Sequence, residues 1–358
     1  MKLAYPGSFD PFTNGHLHIV EKGLALEPGT QVTIIVAANS NKKNHFSGED
    51  RVKMIEKTVE GMTGVDVKLL PPNTYTVHCA KRLKCDVMLR AMRTEPDFQD
   101  ECGIYQANRL ISDMETIYVM PDIDLAAVRS SLAMGLVGPS GWTFVVSKLL
   151  PENIMNQVCK KFCGSVLDPA LVSQTKVYDD MPYHNWKHIA YCLTEFRKHT
   201  WNSDKQAEIG ILLHDAFDPN NIPVLMDFLW ENNNVIHRTF AESKQGTIED
   251  VVRATNHGHI DFSNLDAKSR ELPELVHDID LSVLSWPWEM YEEYTKAIRK
   301  EYVQVKGIAL SEFIKGRIQF LNSMVGKKIY FTNFYSELDA EENMNKELQN
   351  LFEERGEF

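Results

Sequence analysis

The stretch Tyr5-Pro6-Gly7-Ser8-Phe9-Asp10-Pro11-Phe12-Thr13-Asn14-Gly15-His16 follows a short strand-like segment, Lys2–Tyr5, and leads into a helix-like run, Gly15–Leu26. A strand, a glycine-bearing loop and a helix in that order bring backbone N–H groups and the positive end of a helix dipole above the strand tip. That environment favours phosphate. Gly7 and Ser8 let the backbone come close to a ligand, and the imidazole of His16 can donate to a phosphate oxygen. The same residues would also make a plain capped loop, so the rest of the chain has to decide between them.

Outward from that loop, strand-like and helix-like segments alternate. Gln31–Ala37 is a β-branched run that reads as a buried strand, Glu49–Glu60 a helix, Val65–Leu70 a strand and Val77–Leu83 a helix. Asp86–Arg90 reads as a strand, Phe98–Ile111 as a helix and Glu115–Met120 as a strand. This rhythm predicts an α/β doubly wound parallel sheet covered on both faces, with ligands bound beyond the carboxyl ends of its strands. From about Lys161 the pattern becomes a succession of helical runs, which predicts an all-α domain. Gly164, Ser165, Pro169 and Ser173 interrupt helical spacing there. The expected division is residues 1–160, a linker over 161–174, and a helical domain over 175–358.

The chain has 358 residues, 43% of them hydrophobic and 25% charged, as in a soluble globular protein. No apolar run is long enough to span a bilayer and the start lacks a signal-peptide core, so no membrane association and a cytoplasmic location are expected. The six cysteines form no C-x-x-C pair and read as free thiols. Almost all of the net charge of −12 falls after residue 160, which argues against a nucleic-acid partner for that half.

The first half resembles bacterial phosphopantetheine adenylyltransferase, a Rossmann-like nucleotidylyltransferase, over nearly all of residues 1–156. The T-x-G-H signature at Thr13–His16 carries the resemblance together with Ala37-Ala38-Asn39-Ser40-Asn41-Lys42-Lys43, Glu49-Asp50-Arg51-Val52 and Leu89-Arg90-Ala91-Met92-Arg93. Asp97–Glu101, Asn108-Arg109, Ser130-Ser131-Leu132 and Leu149–Asn153 continue it. It implies transfer of AMP from ATP, with Mg²⁺, to 4′-phosphopantetheine. It also implies an α-phosphate contact for His16, clamping of the reacting and acceptor phosphates by Lys42 and Arg90, and an ATP site containing Ser8 and Phe9. Arg93 and Glu101 would bind the nucleotide, and Ser130 and Ser131 the β- and γ-phosphates. Ala91 replaces a family glycine, and Arg129 replaces a serine and becomes a further phosphate-contact candidate. Tyr75-Thr76 stands where the family has an apolar pair against the pantetheine arm. Nicotinamide mononucleotide therefore remains an alternative acceptor. The resemblance further implies a homo-oligomer.

In the second half, Tyr183-His184-Asn185-Trp186-Lys187-His188, His214-Asp215 and Asp278-Ile279-Asp280 hold imidazoles and carboxylates at metal-ligand spacings. His184 and His188 are expected to share a helix face. His214-Asp215 ends the apolar run Ile209–Leu213, where unpartnered polar groups would be costly. In order, His188, His214, Asp215 and Asp280 match the H…HD…D pattern of the HD phosphohydrolase superfamily, which this half resembles over roughly 175–352. The resemblance implies one or two divalent ions (Mn²⁺, Mg²⁺, Fe²⁺ or Zn²⁺) and hydrolysis of a phosphate bond in a nucleotide-like substrate. His184 would protonate the leaving oxygen. Asp278 rivals Asp280 as ligand, and His257 is a candidate for a second ion or a phosphate. His237 and His277 are expected to be structural, and His259 to face solvent. Two further readings stay open: a di-iron oxygenase, or one half kept only as a nucleotide-binding or regulatory module.

Overall fold

Burial on both faces shapes the sheet of the first unit. The computed structural model describes residues 1–37, 43–93, 95–200, 204–217, 222–231, 245–257, 262 and 264–355. Lys42, His237 and His259 lie outside the described residues. The chain divides into two units, Met1–Val158 and Cys159–Phe358.

In the first unit, β1 (Lys2–Gly7), α1 (Asn14–Leu24), β2 (Gln31–Val36), α2 (Gly48–Thr58), β3 (Val65–Leu69), α3 (Thr76–Arg82), β4 (Val87–Ala91), α4 (Glu95–Ile111) and β5 (Thr116–Val119) alternate. The five strands are all parallel, in the order β3-β2-β1-β4-β5. Val32, Ile34, Ile35 and Val36 are wholly buried, each contributing about 1.5–3 kcal/mol of apolar burial. Gly7 pairs in register with Val36, and Ala91 with Val119. The order reverses between β1 and β4, which opens a crevice beyond their carboxyl ends. After β5 come α5 (Ser130–Gly135) and a helix at Trp142–Ser147.

The helix Glu152–Val166 spans the residues at which the two units divide, and Pro169–Gln174 is helical as well. Gly164 and Ser165, expected to interrupt helical spacing, lie inside the first of these helices. Its last carbonyl is capped: Lys205 Nζ and Arg197 Nη2 donate to the Val166 oxygen at 2.9 and 3.4 Å. Both cations also pair with the wholly buried Glu208. Cations at a helix carboxyl end oppose its dipole.

The described elements of the second unit are all helices, with no strand among its described residues. Asn185 caps Trp186–His199, Asp204 caps Lys205–Leu213 and Asp266 caps Ala267–Leu281, each through its side-chain oxygen. Further helices are Ile222–Glu231, Gln245–Ala254, Trp288–Lys300, Leu310–Met324 and Glu337–Arg355. His184 precedes the cap residue Asn185, so it does not share a helix face with His188 as its spacing suggested. The asparagine that ends the Tyr-His-Asn triplet takes its oxygen to the amides of Lys187 and His188, and helical geometry starts only after it. No helix among the described residues is long and apolar enough to cross a membrane.

The Lys205–Leu213 and Gln245–Ala254 helices pack at Gly210, where a Cβ would stand 2.6 Å from Val251 Cγ1. Gly210→Val should therefore destabilise the second unit by about 1–3 kcal/mol, the cost of overpacking. A urea titration measures it, and an unchanged midpoint would mean that Val251 steps aside freely.

Candidate functional site

The crevice at the β1/β4 switch point has a volume of about 210 Å³ and is lined by Gly7, Ser8, Phe9, His16, Arg90 and Arg93 among others. Gly15 brings the start of α1 close to it. A Cβ there would meet the Val128 carbonyl at 2.7 Å, so no larger residue allows this approach.

Thr13 is the cap of α1 and forms a reciprocal capping box with His16. The Thr13 oxygen accepts from the His16 amide at 3.3 Å, and the Thr13 amide donates to His16 Nδ1 at 3.0 Å. A backbone N–H can only donate, so Nδ1 must accept and the neutral ring carries its proton on Nε2. Burial, with Arg93 nearby, lowers the His16 pKa to about 3. At neutral pH His16 is thus an uncharged donor, packed edge-on against Phe9 with ring centroids 5.1 Å apart.

Arg90 forks onto Glu101, with Nε 2.9 Å from Oε2 and Nη2 on Oε1, while Nη1 donates to the Pro6 carbonyl at 3.1 Å. Glu101 is nearly buried and orients this guanidinium. Arg93 sits at the rim, 3.3 Å from Asp97 and 3.4 Å from the Val128 carbonyl. Ser130 Oγ donates to the Pro11 carbonyl at 2.8 Å, tying α5 to the loop after β1. Arg129, Ser131 and Ser8 are exposed and Phe9 is buried. Ser8, Phe9, His16, Arg90, Arg93 and Glu101 line one crevice, whereas Arg129, Ser130 and Ser131 stand at the start of α5, next in the chain to the lining residue Val128.

In the second unit, donor atoms of His188, His214 and Asp280 all lie within 4.8 Å of one another. His188 Nε2 is 3.2 Å from His214 Nε2, 3.2 Å from Asp280 Oδ1 and 3.3 Å from Asp215 Oδ2. His214 Nε2 lies 3.1 Å from Asp215 Oδ2 and 3.5 Å from Asp280 Oδ1. A tetrahedral ion with arms of about 2.0–2.1 Å separates its ligand atoms by about 3.3–3.4 Å. Asp215 Oδ2 is buried and takes no hydrogen bond despite these contacts, as expected of an oxygen that faces a cation. His214 Nδ1 donates to the Ile211 carbonyl at 2.7 Å, which makes Nε2 the nitrogen that faces the cluster. Burial opposes charging His214, but Asp215 and Asp280 outweigh it and hold its pKa well above the usual value. The two carboxylates are held well below theirs by the facing imidazoles, although burial acts the other way. This donor set fits a divalent ion.

His184 Nε2 stands 3.8 Å from Asp215 Oδ1, and its Nδ1 lies 2.7 Å from Glu301 Oε1. Glu301 opens a π-helical turn, Glu301–Val305, and is buried. Burial raises its pKa, but His184 and Lys306 prevail and lower it to about 2. His257 Nε2 is 3.0 Å from Asp280 Oδ2. Asp278, the rival ligand, instead accepts from the amides of Phe331 and Thr332 and from the Thr332 hydroxyl. His277 pairs with Asp278 at 3.1 Å. Thr13 stood in the sequence only as part of the T-x-G-H signature, where its spacing to His16 gave a local signal of the capping role, whereas the pairing of Glu301 with His184 across 117 residues had no signal.

Residues 4–134 match the Cytidylyltransferase-like family. The phosphopantetheine adenylyltransferase of Finegoldia magna is 34% identical over 162 residues, covering 45% of this chain and 96% of that protein. The phosphopantetheine adenylyltransferase of Gloeobacter violaceus is 35% identical over 168 residues, covering 47% of this chain and 100% of that protein. The one from Nautilia profundicola is 34% identical over 158 residues, covering 44% of this chain and 98% of that protein.

The buried state of His16 sets its pH dependence. Its folded pKa, about 3, lies below the ordinary value of 6.5, so the unfolded chain takes up the proton first as pH falls. The stability that this group contributes is complete above about pH 6.5 and is lost toward pH 3. Imidazole ¹⁵N–¹H spectra should show an Nε2-protonated neutral ring at every pH above 5. A titration midpoint near 6.5 would refute the capping-box geometry.

Proposed function

The chain belongs to the phosphopantetheine adenylyltransferase family through its first unit, and on that premise we propose that it transfers AMP from Mg²⁺-ATP to 4′-phosphopantetheine. The observation that carries this reading is the convergence of His16 and Arg90 on the crevice at the switch point. An oxygen of the acceptor phosphate attacks the α-phosphorus of ATP, the bond to the β-phosphate oxygen breaks, and dephospho-coenzyme A and pyrophosphate leave. Such a displacement needs alignment and charge stabilisation rather than a covalent nucleophile.

His16 suits this as a neutral Nε2–H donor to an oxygen of the α-phosphate, with no proton to gain or lose during the step. Arg90, fixed by Glu101 and the Pro6 carbonyl, supplies a cation that keeps its direction while charge moves. Lys42 is assigned to the acceptor and reacting phosphates. Ser8, Phe9 and Arg93 are assigned to the nucleotide, and Arg129, Ser130 and Ser131 to the β- and γ-phosphates. Assembly as a homo-oligomer is carried over from the family as part of the same reading.

For the second unit we infer an HD-type, metal-dependent phosphohydrolase acting on a phosphate ester or anhydride of a nucleotide-like substrate. Its support is the four-residue donor cluster of His188, His214, Asp215 and Asp280. A bound divalent ion would supply Lewis acidity there. Glu301, ionised, holds the Nδ1 side of His184, which leaves Nε2 to carry a proton toward a leaving oxygen. Asp280, gripped by His257, stays ionised and oriented.

His16→Ala should lower kcat for dephospho-coenzyme A formation about 10²–10³-fold, the scale for one lost transition-state donor. Mass spectrometry of the products checks it, and pyrophosphate release with nicotinamide mononucleotide alone would change the acceptor. Asp215→Ala should lose both bound metal and hydrolysis, while His184→Ala keeps the metal and slows turnover about 10²–10⁴-fold. Wild-type protein that binds none of Mn²⁺, Mg²⁺, Fe²⁺ or Zn²⁺ in metal analysis would end the hydrolase reading.

A further inference from the structure

Phe9 is the strained point of the loop after β1. Its backbone has φ 49°, a left-handed conformation unfavourable for a bulky aromatic residue. Its ring is 2% exposed and meets the His16 ring at 5.1 Å and 85°. A strained residue persists only where its surroundings determine it more than once, and here both of its neighbours are tied down.

On one side, the Ser8 carbonyl accepts from Arg51 Nη1, which also donates to the Ala37 carbonyl at 3.1 Å. Arg51 Nε reaches the Ser47 carbonyl at 3.2 Å, so one side chain from α2 links the end of β2, the start of α2 and the loop after β1. On the other side, the carboxylate of Asp10 accepts from the amides of His45 and Phe46 at 2.6 and 3.0 Å. Arg51 is 1% exposed, has no carboxylate partner among the described residues, and leaves Nη2 buried without a hydrogen bond. Holding a cation in that state is costly. A structural tie alone could be made by an uncharged donor.

We propose that Arg51 and Asp10 are positioning residues for adenylyl transfer: their two ties flank Phe9, hold it in the left-handed conformation and so fix the His16 ring against the crevice. The inference rests on the transfer reaction proposed above. Neither residue lines the crevice, and each acts on the reacting phosphate only through His16.

Arg51→Lys keeps the charge but loses the forked reach, and Asp10→Asn keeps the shape but loses one acceptor. Each should lower kcat about 10-fold, with the KM for ATP changed less than about threefold, as for a misplaced catalytic group. Each should also shift the His16 Nε2–H resonance, in Asp10→Asn with the urea midpoint nearly unchanged. In a His16→Ala background, neither should slow turnover further. Equal losses in both backgrounds would overturn the proposal, as would an unchanged His16 resonance in both variants. Should Arg51→Lys fail to fold, Asp10→Asn alone decides. A wild-type chain without transfer activity defeats the reaction assigned above and leaves the His16 resonance to decide this inference.

Discussion

The amide of Thr13 has one acceptor at hand, the Nδ1 of His16, and much of the first unit depends on that hydrogen bond. It closes the capping box that starts α1 and fixes which nitrogen of the ring carries the proton. It also holds the ring where burial keeps it neutral. Helix start and site chemistry are therefore one event, and the helix cannot begin elsewhere without disturbing the donor. The parallel sheet supplies the other half of the constraint. β1 lies between β2 and β4, so the loop it launches stands at the strand-order reversal, where two cations from the β4 side can meet it.

The second unit sets the same residue type in the opposite hydrogen-bond arrangement. At His214 the group facing Nδ1 is the Ile211 carbonyl, which can only accept, so Nδ1 donates outward and Nε2 turns to the carboxylates. At His16 a backbone donor faces Nδ1 and the proton turns outward. The two imidazoles thus differ, by one backbone group, in whether Nδ1 accepts or donates. Around His214 the energetic balance is that of charges gathered out of water. Imidazoles and carboxylates 3.1–3.5 Å apart offset one another when empty, and a cation would replace the protons between them.

The alternation of elements, the crevice at the strand tips and the all-helical second half were legible in the sequence, because periodicity and glycine placement are local properties. Most of the side chains that gather at the two candidate sites were also named there as candidates. His184 was legible as a residue but not in its setting. Spacing put it on a helix with His188, whereas Asn185 spends its side chain on capping and leaves His184 outside, held by Glu301. Asp278 and Asp280 looked alike as letters two residues apart. Packing gave the first to the Phe331–Thr332 backbone and the second to the imidazoles of His188, His214 and His257.

By itself the sequence determined the kinds of groups present, their order and the alternation of strands and helices, because capping, burial pattern and turn preference act over a few residues. The tertiary structure alone decided partnership. It put Glu101 under Arg90, Glu301 behind His184, and Arg51 between the ends of β1 and β2. The physical reason is that a buried charge takes whatever partner the fold brings within about 3 Å, and no spacing in the chain records which partner that will be.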